Sequence, residues 1–205
     1  MSYNPGPDFL AHDIRVKPEL DGLGALGDLG WYCIRAILWA ADYNLPSSVV
    51  ALPGAILNDD GVILSCTASL HWPDSATTAT FHCSFLSYLS FDLTALGTRG
   101  SLRLRDLLIP FEEGYGHGRF TEESALDFGE KKEEKRWCPE AKEWKVESEE
   151  RQEVVMVREF ARLVEEVERR GGKAERRWGI VSRKTQLVMD AVKESIEGGY
   201  KIVEI

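Results

Sequence analysis

The chain has 205 residues, enough for one well-cored domain or two small ones, because domains usually hold about 100–150 residues. Hydrophobic residues make up 43% and charged residues 29% of the sequence, and no apolar run approaches the roughly 18 residues that span a bilayer. The 34 acidic residues outnumber the 25 basic ones, for a net charge of −9. Neither a membrane nor a nucleic acid is therefore an expected partner, and a soluble globular domain is predicted.

The N-terminus and the cysteines predict a cytoplasmic protein with free thiols. The opening sequence Met-Ser-Tyr-Asn-Pro-Gly-Pro has neither the basic start nor the apolar core of a secretory signal. Cys33, Cys66, Cys83 and Cys138 lie far apart, without a C-x-x-C pair, and three of them sit in apolar segments. A Cys66–Cys83 bridge between neighbouring strands can be drawn, but a reducing compartment disfavours it.

The first elements in chain order are an irregular segment and a buried helix. Residues 1–23 contain three prolines and several charges, so we expect an irregular N-terminal segment there and an α+β domain over residues 24–205. Residues 28–41 are almost wholly apolar, which predicts a helix buried on most of its circumference.

Strands are predicted next, then a charged insertion, two helices and a last strand. The stretches 47–52, 62–71, 77–86, 88–95 and 101–109 are rich in β-branched and aromatic residues and are separated by turn signals. Residues 111–148 are rich in charges of both signs, which predicts a solvated insertion with a single strand near 144–146. Helical spacing follows over 154–167 and, from a predicted N-cap at Ser182, up to Gly198. Residues 200–205 alternate like a short terminal strand.

A glycine pattern, Gly22-x-Gly24-x-x-Gly27, matches the dinucleotide-binding fingerprint in letters, and Asp42 follows at a suitable distance. The fingerprint works only where a buried strand ends at the first glycine, and the preceding Arg-Val-Lys-Pro-Glu-Leu-Asp cannot form such a strand. We therefore predict a tight turn that lets backbone and helix pack closely, and no nucleotide site.

Three polar side chains, Asp28, Tyr32 and Arg35, share one face of the apolar helix. One interpretation is a structural network in which Asp28 accepts backbone N–H groups or pairs with Arg15 or Arg35. The other is a cleft in which the Tyr32 phenol acts as a general acid or base. Spacing alone leaves both open.

Other chemistries find little support in the pattern. His12, His71, His82 and His117 are scattered singly, and none is spaced with another ligand as a metal site requires. A serine or cysteine nucleophile would need a strained elbow or a nearby histidine, and neither is recognisable. We predict no metal site.

Residues 13–35 resemble the Gfo/Idh/MocA family of NAD(P)-dependent oxidoreductases, close to its plant-type members and similar to dimeric dihydrodiol dehydrogenases and D-xylose dehydrogenases. The family pattern G-A-L-x-D-x-G-x-(H/Y) is met here by Gly24-Ala25-Leu26, Asp28, Gly30 and Tyr32. Similarity continues through residues 53–58, 61–66, 157–163 and 182–187, and so covers nearly the whole chain outside the charged insertion.

The resemblance implies the C-terminal half of such an enzyme, with an open, mainly antiparallel sheet and helices packed on one face. It implies that Tyr32 handles the proton of the substrate hydroxyl, that Asp28 positions the substrate, and that Arg15, Lys17 and Arg35 line the substrate site. The expected substrate is a sugar, polyol or dihydrodiol-type alcohol or carbonyl, and the expected assembly is a homodimer through the sheet.

The family's nucleotide-binding half, with its glycine fingerprint and its E-K-P lysine, is not among these residues. NAD(P) is thus the cofactor of the full-length family enzyme, and this chain alone is expected neither to bind it tightly nor to turn over. The first strand of the domain is also missing, which leaves an unpaired sheet edge liable to associate. The alternative is a non-catalytic dimerisation or interaction module derived from the same family.

Overall fold

A computed structural model describes residues 1–98, 100–105, 107–109, 118–124, 142–146, 150–169 and 171–205. The chain divides into two compact units. The first comprises Met1–Leu89 and Glu175–Ile205, and the second comprises Ser90–Ala174. The predicted α+β class, with antiparallel sheets and helices, is confirmed.

The sheet of the first unit has five antiparallel strands, with β3 at its centre. The strands are β1 (Ser48–Ala51), β2 (Ile56–Leu57), β3 (Ile63–Trp72), β4 (Thr77–Ser84) and β9 (Val203–Glu204). One edge of β3 pairs with the whole of β4. The other edge of β3 pairs with β1 and β2, and β9 pairs with β1. The predicted strands at 47–52, 62–71 and 77–86 are therefore present, with shifts of one or two residues at most ends.

Four α-helices lie within the described residues, and three of them occur where a helix was predicted, whereas α1 lies in the segment 1–23 that was predicted to be irregular. They are α1 (Pro7–His12), α2 (Trp31–Ala40), α3 (Gln152–Glu168) and α4 (Arg177–Glu197). The N-cap predicted at Ser182 is wrong, because α4 begins at Arg177. The Glu175 carboxylate accepts the Arg177 backbone N–H at 2.8 Å, and an acidic group is favourable at a helix N-terminus.

Helices α2 and α4 cover one face of this sheet. Helix α2 packs against β4, α4 packs against β1, and the two helices contact each other. A buried hydrogen bond fixes α4 to the sheet, since the Ser195 hydroxyl accepts the Ala51 N–H at 2.9 Å and donates to the Lys201 carbonyl at 2.6 Å. The helices therefore lie on one face of the sheet, as the resemblance implied.

The second unit contains an antiparallel meander followed by helix α3. Its strands are β5 (Leu93–Gly97), β6 (Gly100–Leu104), β7 (Gly118–Ser124) and β8 (Lys142–Val146), paired in that order. The strand predicted near 144–146 is confirmed as β8, but β7 lies where a solvated insertion was predicted. The strand predicted at 88–95 begins only at Leu93. Residues 111–117, 125–141 and 147–149 of the predicted insertion and its margins, including Cys138, lie outside the described residues.

Candidate functional site

The predicted site begins at a glycine turn that is pressed against β3. Gly22 and Gly24 both have positive φ, +76° and +57°, a conformation that glycine adopts without steric cost. A Cβ added to Gly24 would lie 2.2 Å from the Ile63 carbonyl oxygen and 2.7 Å from Val62 Cγ1. The close packing predicted for these glycines is present.

The same geometry argues against a dinucleotide at this turn. Residues 18–21, before the turn, form turns rather than a strand, whereas the fingerprint requires a strand that delivers the pyrophosphate to a helix N-terminus. The space beside the Gly24 α-carbon is filled by β3 backbone. Residues 22–27 therefore do not fit a dinucleotide.

A π-helical turn, Leu26–Gly30, leads directly into α2 and carries Asp28. Such turns close i→i+5 hydrogen bonds and are often found at functional sites. The predicted regular helix from residue 28 is therefore wrong for its first turn, because a wider turn rotates Asp28 relative to Tyr32 and Arg35. The three side chains are not in one uninterrupted α-helical stripe.

Asp28 is held by a guanidinium from the N-terminal segment. Arg15 Nε lies 3.3 Å from Asp28 Oδ2, and the two side chains are 41% and 29% exposed. Burial raises the pKa of the Asp28 carboxyl above its usual value, and the Arg15 charge partly opposes that rise. The sequence left Arg15, Arg35 and backbone N–H groups as possible partners of Asp28, and in the structure Arg15 pairs with it.

Asp13 orients Arg15, a role that the sequence pattern did not reveal. Its Oδ1 atom accepts from the Arg15 backbone N–H at 2.9 Å and from Nη1 at 3.2 Å. This hydrogen bond is the main reason that the Arg15 pKa is raised. Arg15 therefore bridges two carboxylates.

The other predicted cations are engaged elsewhere. Lys17 Nζ donates to the Ala11 carbonyl at 2.8 Å, and Arg35 Nη1 donates to Thr185 Oγ1 on α4 at 3.3 Å. Arg35 also lies over the Trp31 ring, with its guanidinium carbon 6.0 Å from the ring centroid. The structure thus places Lys17 and Arg35 in contacts within the fold, apart from the Arg15–Asp28 pair.

Aromatic side chains are exposed along α2. Tyr32 is 39% exposed and Trp39 is 61% exposed, although the apolar sequence predicted burial for Trp39. Their spacing of seven residues puts them on one face, a signal that could have been noted. An accessible phenol can exchange a proton with a hydroxyl group, and an ion-paired carboxylate can accept a hydrogen bond from one.

Three of the four cysteines lie within the described residues. Cys66 and Cys83 face each other on β3 and β4 with their Sγ atoms 3.4 Å apart, and both are buried free thiols, as is Cys33. Hydrogen bonding to Cys66 and burial raise the pKa of the Cys83 thiol.

Within the described residues no group of three His, Cys, Asp or Glu side chains could hold a metal ion, and no helix there is long and apolar enough to cross a membrane.

Comparison with known proteins places this architecture in a family. A family model described as the GFO/IDH/MocA C-terminal domain matches residues 1–103. The chain belongs to that family, whose members form the C-terminal domains of Gfo/Idh/MocA oxidoreductases.

Solved structures of oxidoreductases share the fold. A candidate NADPH-dependent oxidoreductase from Desulfitobacterium hafniense superposes with a TM-score of 0.67 at 17% identity, covering 99% of this chain and 54% of that one. A 3-ketoreductase from Actinomadura kijaniata, solved with NADP and TDP-benzene, superposes with a TM-score of 0.67 at 21% identity, covering 94% of this chain and 50% of that one. The chain therefore spans about half the length of these structures.

Proposed function

We propose that the chain is the substrate-binding half of an NAD(P)-dependent oxidoreductase of the plant type, similar to dihydrodiol and D-xylose dehydrogenases. Its substrate is a sugar, a polyol or a dihydrodiol-type alcohol or carbonyl. The observation that carries the proposal is the partly exposed Arg15–Asp28 pair four residues before an exposed Tyr32, in a chain that belongs to this family. The solved 3-ketoreductase was crystallised with NADP, which supports the cofactor class for the complete enzyme.

The proposed roles follow from what each side chain contacts. Tyr32, whose ring is accessible, passes the hydroxyl proton of the substrate, while bound NAD(P) in a complete enzyme supplies the hydride chemistry. Asp28 accepts a second hydroxyl, and Arg15 keeps that carboxylate ionised and oriented. Lys17 and Arg35 reach substrate only by giving up their present partners, Ala11 and Thr185. Without a nucleotide-binding half the chain is inactive.

The substrate proposal is tested by titrating the 205-residue chain with D-xylose, sorbitol and a benzene dihydrodiol while amide and side-chain NMR signals are followed. We expect saturable shifts at Arg15, Asp28 and Tyr32 with at least one probe. Asp28→Asn should weaken that binding about tenfold or more, because a hydrogen bond to a charged group contributes about 1.5–3 kcal/mol. Asp42→Asn, the same change just beyond the other end of α2, is the matched control and should leave binding unchanged.

The proposal is wrong if no probe gives saturable shifts, or if Asp28→Asn and Asp42→Asn bind alike. The cofactor part is tested separately by calorimetry with NADPH. Because residues 22–27 do not fit a dinucleotide, we expect no heat of binding. A saturable heat would overturn the claim that this chain needs a second half.

A homodimer through the sheet is part of the proposal. The sheet of the first unit has an outer edge, β4, that carries exposed residues. The second candidate function, a non-catalytic dimerisation module, is favoured by one observation, the engagement of Lys17 and Arg35 within the fold. The ligand titration separates the two, since only the substrate-binding half is expected to bind a polyol at Asp28.

A further inference from the structure

Two buried cysteines face each other across the β3–β4 pair. Cys66 and Cys83 are register partners, and their Sγ atoms lie 3.4 Å apart. They are 2% and 0% exposed, and the proposed substrate site uses neither of them. Both are free thiols, so the structure shows the reduced state of the pair.

The backbone around the pair has a spacing that suits a disulfide. Phe85 donates its N–H to the Leu64 carbonyl, and hydrogen-bonded and non-hydrogen-bonded pairs alternate along antiparallel strands. Cys66 and Cys83 lie two residues further along and therefore form a hydrogen-bonded pair, whose Cα atoms are usually about 5.5 Å apart. Disulfides most often join Cα atoms about 5.5–6 Å apart. Closing the sulfurs from 3.4 Å to about 2.05 Å is thus a matter of side-chain rotation.

The surroundings of the pair suit a disulfide as well as two thiols. A Cβ added to Gly30 would lie 3.4 Å from Cys83 Sγ, so the backbone of the π-helical turn covers this sulfur. Among the described residues, the hydrogen-bond partner of each of the two thiols is the other thiol. A disulfide is neutral and has no polar hydrogen, so closing the pair leaves no buried donor without an acceptor.

We propose that Cys66 and Cys83 form a peroxide-sensitive pair that closes to a cross-strand disulfide and reopens with thiol reductants. This redox pair does not depend on the proposed substrate site. In a reducing compartment the open pair is the resting state, in agreement with the free thiols. Hydrogen peroxide is the oxidant, since a small uncharged molecule reaches buried sulfur through local opening of the fold.

The oxidation balances with peroxide alone. The thiolate of one cysteine attacks a peroxide oxygen, the O–O bond breaks, and a sulfenic acid and water form. The second thiol then attacks that sulfur, the S–O bond breaks, and a second water leaves with the thiol proton. The two thiols lose two electrons, and one peroxide molecule is reduced to two waters.

Cys33 provides an internal comparison. Its Sγ lies 3.9 Å from the His82 carbonyl oxygen, and it is carried by α2 rather than by a strand paired with β3 or β4. At 6% exposure it is the most accessible of the three described cysteines. If oxidation followed accessibility, Cys33 would react first. If it follows the arrangement of the sulfurs, the link between Cys66 and Cys83 forms first.

Peroxide oxidation of the folded chain, followed by peptide mapping without reduction, tests the pair. A protease that cuts before aspartate separates Cys66 from Cys83 at Asp74. In a Cys138→Ser background, we expect their link to form about tenfold or more faster than any link to Cys33, because pre-arranged groups react faster. Dithiothreitol should restore both thiols. Cys33→Ala is the matched control and should leave the rate unchanged.

Thermal unfolding gives a second readout. A bond between residues 66 and 83 constrains the unfolded chain and should raise the unfolding midpoint by about 6–12 °C. The midpoint of the Cys138→Ser chain is measured before and after peroxide treatment, and again after reduction. Cys83→Ala in the same background, treated identically, should show no rise.

A link that forms only in denaturing urea, or links to Cys33 that form equally fast, would overturn the proposal. A Cys33→Ala variant that links about tenfold more slowly would replace the direct step with a relay through Cys33. A disulfide that lowers the unfolding midpoint would also contradict the proposal, because the strands would then have to distort to accept it. None of these results bears on the ligand titration, which judges the proposed substrate site separately.

Discussion

Replacing Gly24 with alanine is the most direct test of how the predicted site is built. Alanine at φ +57° costs about 1–2 kcal/mol for the left-handed backbone. The added Cβ would lie 2.2 Å from the Ile63 carbonyl oxygen, and overpacking of this kind costs about 1–3 kcal/mol more. We expect Gly24→Ala to lower the free energy of unfolding by about 2–5 kcal/mol, a large part of the usual 5–15 kcal/mol.

Gly61→Ala is the matched control, because Gly61 also has positive φ, +82°, but a Cβ there would meet no atom within 4 Å. Gly61→Ala should lower the free energy of unfolding only by the cost of the left-handed backbone, about 1–2 kcal/mol. Urea denaturation followed by tryptophan fluorescence measures both variants. Equal losses would refute the packing argument, and a Gly24→Ala variant of unchanged stability that had lost NADPH binding would restore the nucleotide interpretation of residues 22–27.

Three further predictions concern the acid, the phenol and the buried serine. Burial raises the pKa of Asp28, so the folded protein loses stability as the pH rises from the ordinary carboxyl pKa to the raised one. Arg15→Gln should raise that pKa further and lower the free energy of unfolding by up to about 1 kcal/mol at pH 7. At acidic pH, where Asp28 is protonated, denaturation should show almost no difference between the variant and the unsubstituted protein. Tyr32→Phe, in an enzyme that includes a nucleotide-binding half, should lower kcat by about 10²–10⁴, and a nearly normal kcat would remove Tyr32 from the mechanism. Ser195→Ala leaves the buried Ala51 N–H without its partner and should cost about 1–3 kcal/mol in urea denaturation, whereas a neutral effect would mean that another group replaces the hydroxyl.

The core of the fold was predictable because local pattern and tertiary role agree there. Strands β3 and β4 are long, β-branched and separated by the Pro73-Asp74-Ser75 turn signal, and they pair with each other without a register shift. Strand β7 was missed because Glu122 and Glu123 give Gly118–Ser124 a low intrinsic strand preference. Its pairing with β6 and β8 is a tertiary effect that no local window contains.

The start of α4 is another place where residue type and structure disagree. Ser182 is a good N-cap by residue type, yet the helix continues through it to Arg177. Glu175 supplies the capping acceptor instead, and Val181 is buried within the first turns. Residue type alone could not show that a carboxylate two residues before the helix would take over the capping role.

The candidate site was predicted in its residues but not in its arrangement. Asp28 and Tyr32 could be singled out because polar groups are rare in an apolar helix, and Arg15 was among the partners considered for Asp28. The π-helical turn at Leu26–Gly30 was not predicted, since the apolar pattern of residues 28–41 is also that of a regular helix. Trp39, 61% exposed, was assigned to the core because apolar character does not show which face of a helix is covered.

The polar groups of α2 and its π-helical turn fall into two sets with different energetic roles. Arg35 joins α2 to α4 through a fully buried threonine hydroxyl, so moving Arg35 would leave the Thr185 hydroxyl with only its bond to the Val181 carbonyl. Asp28 and Arg15 are partly exposed, and an ion pair in that setting adds little stability. A partly buried carboxylate with a raised pKa is costly for the fold to keep, which makes Asp28 a better candidate than Arg35 for a residue retained for binding.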